Sequence, residues 1–175
     1  HNLDGLQRIR YTTSHPKDMT KDLIECYKDL PKLMPFLHLP VQTGSNNILK
    51  KMNRKHTIEE YLLIIDDLLD IRPEIKFSSD FIVGYPGESD KDFDKTISLI
   101  KKVKFINSYS YIYNKRPGTP SAKMKQISND VQKKRLNELQ NLLENYQKTN
   151  HKNNINNSLE VLVENKLKNQ NKFFG

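Results

Sequence analysis

KFSSDFIVGYPGE, residues 76–88, is the stretch that decides the fold of this chain. Up to Val83 it mixes apolar and small polar residues, which is typical of a buried strand. A Gly-Tyr-Pro-Gly turn at 84–87 ends that strand, and a helical apolar period follows, with Ser89 placed to cap the helix and Asp92 in its first turn. This order brings backbone amides close to a ligand, although the same turn also serves in any plain strand–helix unit.

Three further segments on either side of this stretch alternate like strands: 8–13 (RIRYTT), 36–42 (FLHLPVQ) and 107–113 (NSYSYIY). Helical periods separate them, with Thr20 as the cap of one helix and Thr57 as the start of a capping box in another. Four strands alternating with helices predict an α/β fold with a parallel sheet and right-handed crossovers, closed into a barrel or a partial barrel.

The loops after these strands are rich in polar residues and glycine: 14–16 (SHP), 42–45 (QTGS), 84–88 (GYPGE) and 114–120 (NKRPGTP). The C-terminal ends of parallel strands meet at one edge of a sheet, so these loops converge there. The sequence therefore predicts a ligand site at that edge.

The composition bounds the partners of the chain. Its 175 residues carry a net charge of +8 and a pI near 9.4, which favours nucleic acid as a partner, although a Lys- and Asn-rich chain also carries such charge on a solvated surface. No apolar run approaches the roughly 20 residues that span a bilayer, so no membrane partner is expected. The single cysteine, Cys26, allows no intrachain disulfide and favours a cytoplasmic location.

The chain changes character after residue 126. A long helix is expected from about 129 to 150, with an apolar stripe predicted to be buried at Val131, Leu139, Leu142, Leu143 and Tyr146. Its exposed face is expected to carry Lys133, Lys134 and Arg135. The alternation of Leu159, Val161 and Val163 then predicts a strand. The predicted division is a barrel at 1–126, a linker helix with an Asn-rich linker at 127–157, and the truncated start of a β-rich domain at 158–175.

Four motifs in register resemble the radical S-adenosylmethionine methylthiotransferases: RIRYTTSHP at 8–16, HLPVQTGSNNILKKMNRKHT at 38–57, SSDFIVGYPGE at 78–88 and YSYIYNKRPGTPSA at 109–122. The resemblance covers most of residues 8–150. The TTSHP and MNRKHT segments are similar to the branch that acts on tRNA, the 2-methylthio-isopentenyladenosine synthases.

The resemblance implies the C-terminal part of a partial (βα)6 radical-SAM barrel, with its last four strands in this chain, followed by the start of a β-rich tRNA-binding domain. It implies an enzyme that adds a methylthio group to an isopentenyl-adenosine next to the anticodon, with S-adenosylmethionine and two 4Fe-4S clusters as cofactors. It also implies the anticodon stem-loop as partner, and a monomer when complete.

The cluster cysteines of that family, a C-x-x-x-C-x-x-C motif and three more in an N-terminal domain, have no counterpart here, since Cys26 matches none of them. The chain is therefore expected to be inactive alone and to lack the N-terminal part of the same protein. No residue of this chain is expected to bind a metal ion.

The same resemblance assigns site residues by position. The turn matches the family loop that lies against the adenine of S-adenosylmethionine; its residues are Gly84, Tyr85, Pro86 and Gly87. Gln42 and Ser45 stand where contacts with the ribose or the methionine carboxylate are expected. The structural alternative is a bond within the loop, and for Ser45 a helix N-cap instead of a ligand contact. Glu88 is interpreted as a stabiliser of the turn.

Substrate contacts are expected from His15, Asp80, Arg54 and Arg116. His15 and Asp80 each have a structural alternative, in a loop and in the strand layer. Arg54 and Arg116, with Lys55 and Lys115, are placed to bind tRNA phosphates, and Lys133, Lys134 and Arg135 extend that track. Tyr109, Tyr111 and Tyr113 either stack a flipped base or place two of the three rings in the core.

Two other functions remain open from the sequence, besides an unrelated α/β hydrolase or isomerase, for which no nucleophile–base pair can be identified. One is the same architecture acting on a ribosomal-protein side chain, which the TTSHP segment and the Arg/Lys content disfavour. The other is a non-catalytic RNA-binding remnant, which the missing cluster cysteines allow.

Overall fold

The computed structural model describes residues 2–163, 165–168 and 172–174. Its strands, in chain order, are β1 (Ile9–Thr12), β2 (Leu33–His38), β3 (Lys76–Ser78), β4 (Asp80–Val83), β5 (Tyr109–Ile112), β6 (Asn165–Lys166) and β7 (Phe173–Phe174). Its helices are α1 (Lys21–Asp29), α2 (Asn46–Lys51), α3 (Ile58–Ile71), α4 (Asp90–Val103) and α5 (Asn129–Asn153), with short 3-10 turns at Pro16–Asp18 and Pro120–Lys123. No helix in these described ranges is both long and apolar enough to cross a membrane.

The first five strands form the parallel arrangement that the sequence predicts. Strands β1, β2 and β3 pair in that order, and β4 pairs with β5, all in parallel. An isolated bridge between Gln42 and Phe81 joins the two sheets. The open, curved βα arrangement confirms the expected partial barrel.

The strand predicted through residues 77–83 is not continuous. It breaks at Ser79 into β3 and β4, and the strand predicted at 36–42 ends at His38. Pro40 has no N–H to donate, and the Ser79 hydroxyl replaces the missing ladder: it accepts from Val41 N at 2.9 Å and donates to Leu39 O at 2.9 Å. One length of chain thereby serves two sheets.

Local capping chemistry sets the starts of the main helices. Thr57 and Glu60 form a reciprocal capping box on α3, and Ser89 and Asp92 form one on α4. Ser45 caps α2. The caps at Thr57 and Ser89 confirm the sequence prediction, and Ser45 adopts the helix-cap alternative. Thr20 stands at the N-cap of α1 as predicted, but its side chain makes no capping hydrogen bond.

The core lies between the outer face of the sheets and the helices. Its largest fully buried side chains include Tyr61, Phe81, Phe105, Leu37 and Leu139. Tyr61 crosses from α3 to the sheet, and its hydroxyl donates to Leu39 O at 3.0 Å.

Helix α5 packs on β4, β5 and α4, with Leu139 and Leu143 in the core. Two predictions for this helix are wrong. Val131 is 37% exposed, whereas Arg135, expected on the exposed face, is 6% exposed. The reason is that the buried stripe runs through Gln132 and Arg135, whose polar ends meet partners inside.

The inner, concave face of the sheets carries mostly polar and aromatic side chains. Tyr109 and Tyr111 point to this face and are 60% and 55% exposed, and Tyr113 is half-buried. The expectation that two of these tyrosines belong to the core is therefore wrong. Alternation along β5 places Ile112 instead against the core.

The prediction of a strand at Leu159, Val161 and Val163 is also wrong. Those side chains are 58–59% exposed, and the antiparallel pairing falls later, between β6 and β7. Residues 164, 169–171 and 175 of the predicted β-rich segment lie outside the described residues. The division into three domains stays a prediction.

Candidate functional site

A cavity of about 770 Å3 lies along β4 and β5 and extends past their C-terminal ends. Its wall includes five residues predicted for the site: Gln42, Arg54, Asp80, Tyr85 and Arg116. Met52, Ile82, Tyr111 and Tyr113 supply apolar and aromatic surface. Because the predicted loops converge at this edge, the cavity is the candidate ligand site.

Gln42 occupies a strained position at the floor of the loops. Its φ of 75° lies in the left-handed region, which is costly for a residue with a Cβ. Two backbone bonds to the next strand impose this conformation: Gln42 N donates to Asp80 O at 2.9 Å, and Ile82 N donates to Gln42 O at 2.9 Å. The fold thus fixes the Gln42 amide at the cavity wall.

The turn at 84–87 forms another wall through Tyr85. Gly84 and Gly87 have φ values of 71° and 81°, which explains glycine at both positions. The Tyr85 ring meets Tyr113 edge-on at 4.9 Å, and its hydroxyl donates to Lys51 O at 2.9 Å. Glu88 stabilises the turn as predicted, because its Oε2 accepts from Gly84 N at 2.8 Å.

Cationic, anionic and neutral polar side chains line the cavity. Burial lowers the pKa of the Arg54 guanidinium, and the nearby Asp80 carboxylate opposes that shift. Asp80 Oδ2 also lies 3.6 Å from His38 Nε2, and His38 Nδ1 lies 2.8 Å from Ser78 Oγ. The site can therefore match a ligand with an anionic end and hydrogen-bonding groups.

Ser45 is not part of the cavity wall. It is fully buried, and its hydroxyl accepts from Ile48 N and donates to Asp92 Oδ1 at 2.5 Å. Burial works to raise the pKa of Asp92, but hydrogen bonds from Ser45, Ser89 and Asn47 together lower it to about 2. The hydroxyl that the resemblance assigns to cofactor thus joins two helix N-termini.

His15 lies outside the cavity, next to a second histidine. Its Nδ1 accepts from Lys17 N at 3.1 Å and caps the 3-10 turn, and its ring meets His56 edge-on at 5.0 Å. His56 is 5% exposed, and neither ring nitrogen has a partner among the described residues. Burial, with repulsion from His15 and Arg54, lowers the pKa of His56 to about 4.

The loop after β5 closes the far side of the cavity. Tyr113 donates its hydroxyl to Ser121 Oγ at 2.8 Å, which ties the strand end to the 3-10 turn at Pro120–Lys123. Arg116 lies on the exposed part of this loop and still lines the cavity. A basic side chain at the mouth is therefore available to an anion outside.

A second cavity, of about 590 Å3, lies on the same concave face. Its wall includes Arg10, Phe36, His38 and Tyr109. The Arg10 guanidinium stands 5.5 Å from the Phe36 ring centre, and His38 meets Tyr109 edge-on at 6.4 Å. His38 in the wall of this cavity contacts Asp80 in the wall of the first.

Sequence reasoning did not identify His38 or Gln132 as part of the site environment. His38 follows Phe36 at a spacing of two, so the strand alternation that places Phe36 also places His38 on the concave face. Gln132, on helix α5, contacts the turn at 84–87, and no local sequence pattern predicts a contact over that separation.

The residues described in the structure hold no group of three or more His, Cys, Asp or Glu side chains that could bind a metal ion. Cys26 is half-buried on α1, where it packs against the core.

The chain resembles known proteins along almost its whole length. A family profile described as Radical SAM superfamily matches residues 2–100. The tRNA-2-methylthio-N(6)-dimethylallyladenosine synthase of Pelagibacter ubique (strain HTCC1062) is 58% identical over 174 residues, which are 99% of this chain and 39% of that protein. The protein of the same name from Wolbachia pipientis wMel is 50% identical over 175 residues, which are 99% of this chain and 40% of that protein. The chain thus spans about 40% of the length of these curated relatives.

Two solved structures share the fold. One is coproporphyrinogen III oxidase (HemN) from Escherichia coli, a radical SAM enzyme, with a TM-score of 0.63 and 17% identity over 79% of this chain and 32% of that one. The other is Elp3 from Methanocaldococcus infernus with an N-terminal deletion, with a TM-score of 0.54 and 21% identity over 78% of this chain and 32% of that one.

Proposed function

We propose a function from the premise that this chain belongs to the radical SAM superfamily, whose profile matches more than half of its residues. The chain is part of an enzyme that adds a methylthio group to a dimethylallyl-adenosine of tRNA. The observation that carries this proposal is the 58% identity over 174 residues to a synthase of that name.

The cavity at the strand ends is the proposed site for S-adenosylmethionine. Its volume of about 770 Å3 falls within the range typical of small-molecule sites, roughly 300–1,000 Å3. The donor set fits the molecule: Arg54 matches the α-carboxylate, and Gln42 and Asp80 match ribose hydroxyls or the ammonium group. Tyr85, the residue of the turn at 84–87 that lines the cavity, offers an aromatic wall for the adenine.

Arg54 thus takes a different role from the phosphate contact expected from sequence. Its guanidinium lines the cavity beside Asp80 and is half-buried. Its planar fork of donors matches carboxylate and phosphate alike, so the position inside the cavity is what favours the carboxylate. We keep Arg116, which is exposed at the mouth, as the proposed phosphate contact. His15 stays a proposed substrate contact only through its free ring edge, because Nδ1 caps a turn.

Bound S-adenosylmethionine supplies the radical chemistry of this superfamily, and the residues of this chain bind and orient it. Arg54 and Asp80 orient the carboxylate and the ammonium group, which share one carbon at the methionine end of the ligand. The Tyr85–Tyr113 pair excludes water from one wall, and Gln42 orients the ribose.

The described residues do not fit an iron–sulfur cluster. Such clusters take thiolate ligands, and the chain has one cysteine, half-buried on α1. We propose that the two 4Fe-4S clusters of the enzyme are bound by cysteines of a longer protein. The 40% coverage of the relatives supports this proposal.

We propose that tRNA, through its anticodon stem-loop, binds across the concave face of a monomer in the cytoplasm. The chain carries a net charge of +8, Arg116 marks the cavity mouth, and exposed Tyr109 and Tyr111 provide faces on which a base can stack. Arg135 does not extend this basic track, because it is buried and paired with Glu88.

The test is titration of the 175-residue chain with S-adenosylmethionine by calorimetry, followed by titration with an anticodon stem-loop RNA. We expect saturable binding of both. Arg54→Gln should weaken S-adenosylmethionine about tenfold or more, because a charge-assisted bond contributes roughly 1.5–3 kcal/mol. Lys148→Gln, an exposed change on α5, is the matched control.

The outcomes separate the candidate functions. RNA binding without any S-adenosylmethionine binding would contradict the proposed cofactor site and favour an RNA-binding remnant. Binding of S-adenosylmethionine without RNA would contradict the proposed substrate class.

A further inference from the structure

Helix α5 reaches the turn beside the cavity through two buried side chains. Gln132 Nε2 donates to Gly84 O at 3.0 Å. Arg135 donates from one guanidinium nitrogen to Glu88 Oε2 at 2.7 Å and to Glu88 O at 3.2 Å. Gln132 and Arg135 are each 6% exposed, so water competes little for these bonds.

Glu88 depends on these contacts because its side chain is fully buried. A buried carboxylate stays charged only with partners, and here Oε2 accepts from both Gly84 N and Arg135. Burial raises the pKa of Glu88, and the Gly84 amide and Arg135 oppose that shift. Arg135 therefore favours the charged form of Glu88, whose Oε2 accepts from Gly84 N.

The guanidinium of Arg135 also fixes the start of the next helix. Its second nitrogen donates to Asp90 Oδ1 at 2.7 Å, and its carbon stands 5.6 Å from the Phe93 ring centre. A Cβ on Gly84 would overlap Gln132 Cγ, so the helix and the turn leave no space between them. The contact is thus close as well as polar.

A third element holds the same turn from the opposite side. Lys51 Nζ donates to Gly87 O at 3.0 Å, and Lys51 O accepts from the Tyr85 hydroxyl at 2.9 Å. The turn is therefore fixed between α2 and α5, with the Tyr85 ring directed into the cavity wall.

We propose that Arg135 and Gln132 are positioning residues that hold the turn at 84–88 in the conformation that forms the cavity wall. Both lie beyond residues 2–100, the part of the chain that the family profile matches. Helix α5 is then a component of the ligand site as well as a connection to residues 154–175. The link to S-adenosylmethionine rests on the proposed function, whereas the link to the turn does not.

The test compares Arg135→Met with Arg135→Lys and with Gln132→Met in the whole chain. Hydrogen exchange of the Gly84 amide, measured by NMR without ligand, should accelerate at least about tenfold in Arg135→Met, because its acceptor loses a charged partner. The dissociation constant for S-adenosylmethionine should rise about tenfold, with RNA affinity unchanged.

Two further variants make the result specific. Glu88→Gln added to Arg135→Met should slow exchange again, because it removes the uncompensated buried charge while keeping an acceptor for Gly84. Lys134→Met, on the exposed side of the same helix, should change neither quantity. If Arg135→Met does not fold, the milder Arg135→Lys and Gln132→Met variants carry the comparison.

The outcomes distinguish this inference from the proposed function. Unchanged Gly84 exchange in the folded variants would overturn the positioning role. The wild-type chain could instead bind no S-adenosylmethionine while the Gly84 amide exchanges faster in the variants. That result would support the positioning role and overturn only the proposed cofactor. Equal loss of S-adenosylmethionine and RNA binding, with exchange accelerated throughout the chain and not selectively at Gly84, would indicate general destabilisation and overturn the inference.

Discussion

The Ser45 hydroxyl donates to Asp92 Oδ1 at 2.5 Å, and this bond joins the N-termini of two helices. Ser45 caps α2, while the other oxygen of Asp92 accepts from Ser89 N at 3.0 Å within the capping box of α4. One carboxylate therefore orients the two helices that follow the two main loops of the site. Its negative charge also lies at two positive helix ends.

Asp92→Asn should lower the free energy of unfolding by about 2 kcal/mol, since charge-assisted hydrogen bonds from Ser45 and Ser89 become neutral ones. Urea denaturation followed by circular dichroism measures the change. Asp94→Asn, an exposed carboxylate on the same helix, should change stability by less than about 0.5 kcal/mol. Equal effects of the two changes would contradict this role of Asp92.

Stability should depend on pH through His56. Its folded-state pKa of about 4 lies below the ordinary 6.5, so between these values the unfolded chain binds the extra proton. The contribution of neutral His56 to the free energy of unfolding is complete above pH 6.5. It is lost as the pH falls toward 4, and the total loss is about 3 kcal/mol. His56→Phe removes two unpartnered buried nitrogens and should stabilise the chain more at about pH 5 than at about pH 7.5. Parallel pH curves for both proteins would show that His56 does not titrate in this way.

Gln42→Gly should separate stability from ligand binding. The change relieves a left-handed backbone, so the free energy of unfolding should rise by about 0.5–1 kcal/mol. The affinity for S-adenosylmethionine should fall about tenfold, because the cavity loses the amide. Lys104→Gly, at a helix C-cap with φ 57°, should stabilise equally without changing affinity. A loss of affinity in both variants would rule out a specific role for the Gln42 amide.

Gly44→Ala should destabilise the chain by about 2 to 3 kcal/mol. A Cβ there would meet Lys95 O at 2.5 Å and Thr96 Cα at 2.6 Å, both backbone atoms of α4 that cannot move aside alone. Gly5→Ala meets nothing within 4 Å and carries only the strain of φ +76°, about 1 kcal/mol. Thermal unfolding of both variants measures the difference. Equal losses of stability would show that the loop at Gly44 shifts to accommodate the methyl group.

Local chemistry explains what the sequence could predict. The capping boxes at Thr57 and Ser89 depend on residues three positions apart, and the parallel order of strands follows from their alternation with helices. The convergence of Gln42 and Tyr85 follows from the same topology, since each lies at or just after the end of a predicted strand. Asp80, the first residue of β4, instead reaches the cavity by alternation with Ile82.

Long-range pairing explains what the sequence could not predict. Arg135 lies within a run of basic residues on a polar helix, and only contact with Glu88, 47 positions away, makes it a buried residue. The break at Ser79 depends in the same way on Pro40 in a different strand–helix unit. Ser45 fits a ligand contact and a helix cap equally well by sequence, and the position of Asp92 decides between them.

The interruption at Ser79 has a consequence for how the chain folds. Because β3 and β4 are one continuous length of chain, the three-stranded and the two-stranded sheets share this segment and cannot form as independent units. Loss of either sheet removes the support of the other, so denaturation should follow one cooperative transition with coincident probes. The Ser79 hydroxyl, bonded to Val41 N and Leu39 O where the two sheets meet, couples the loss of one sheet to the loss of the other.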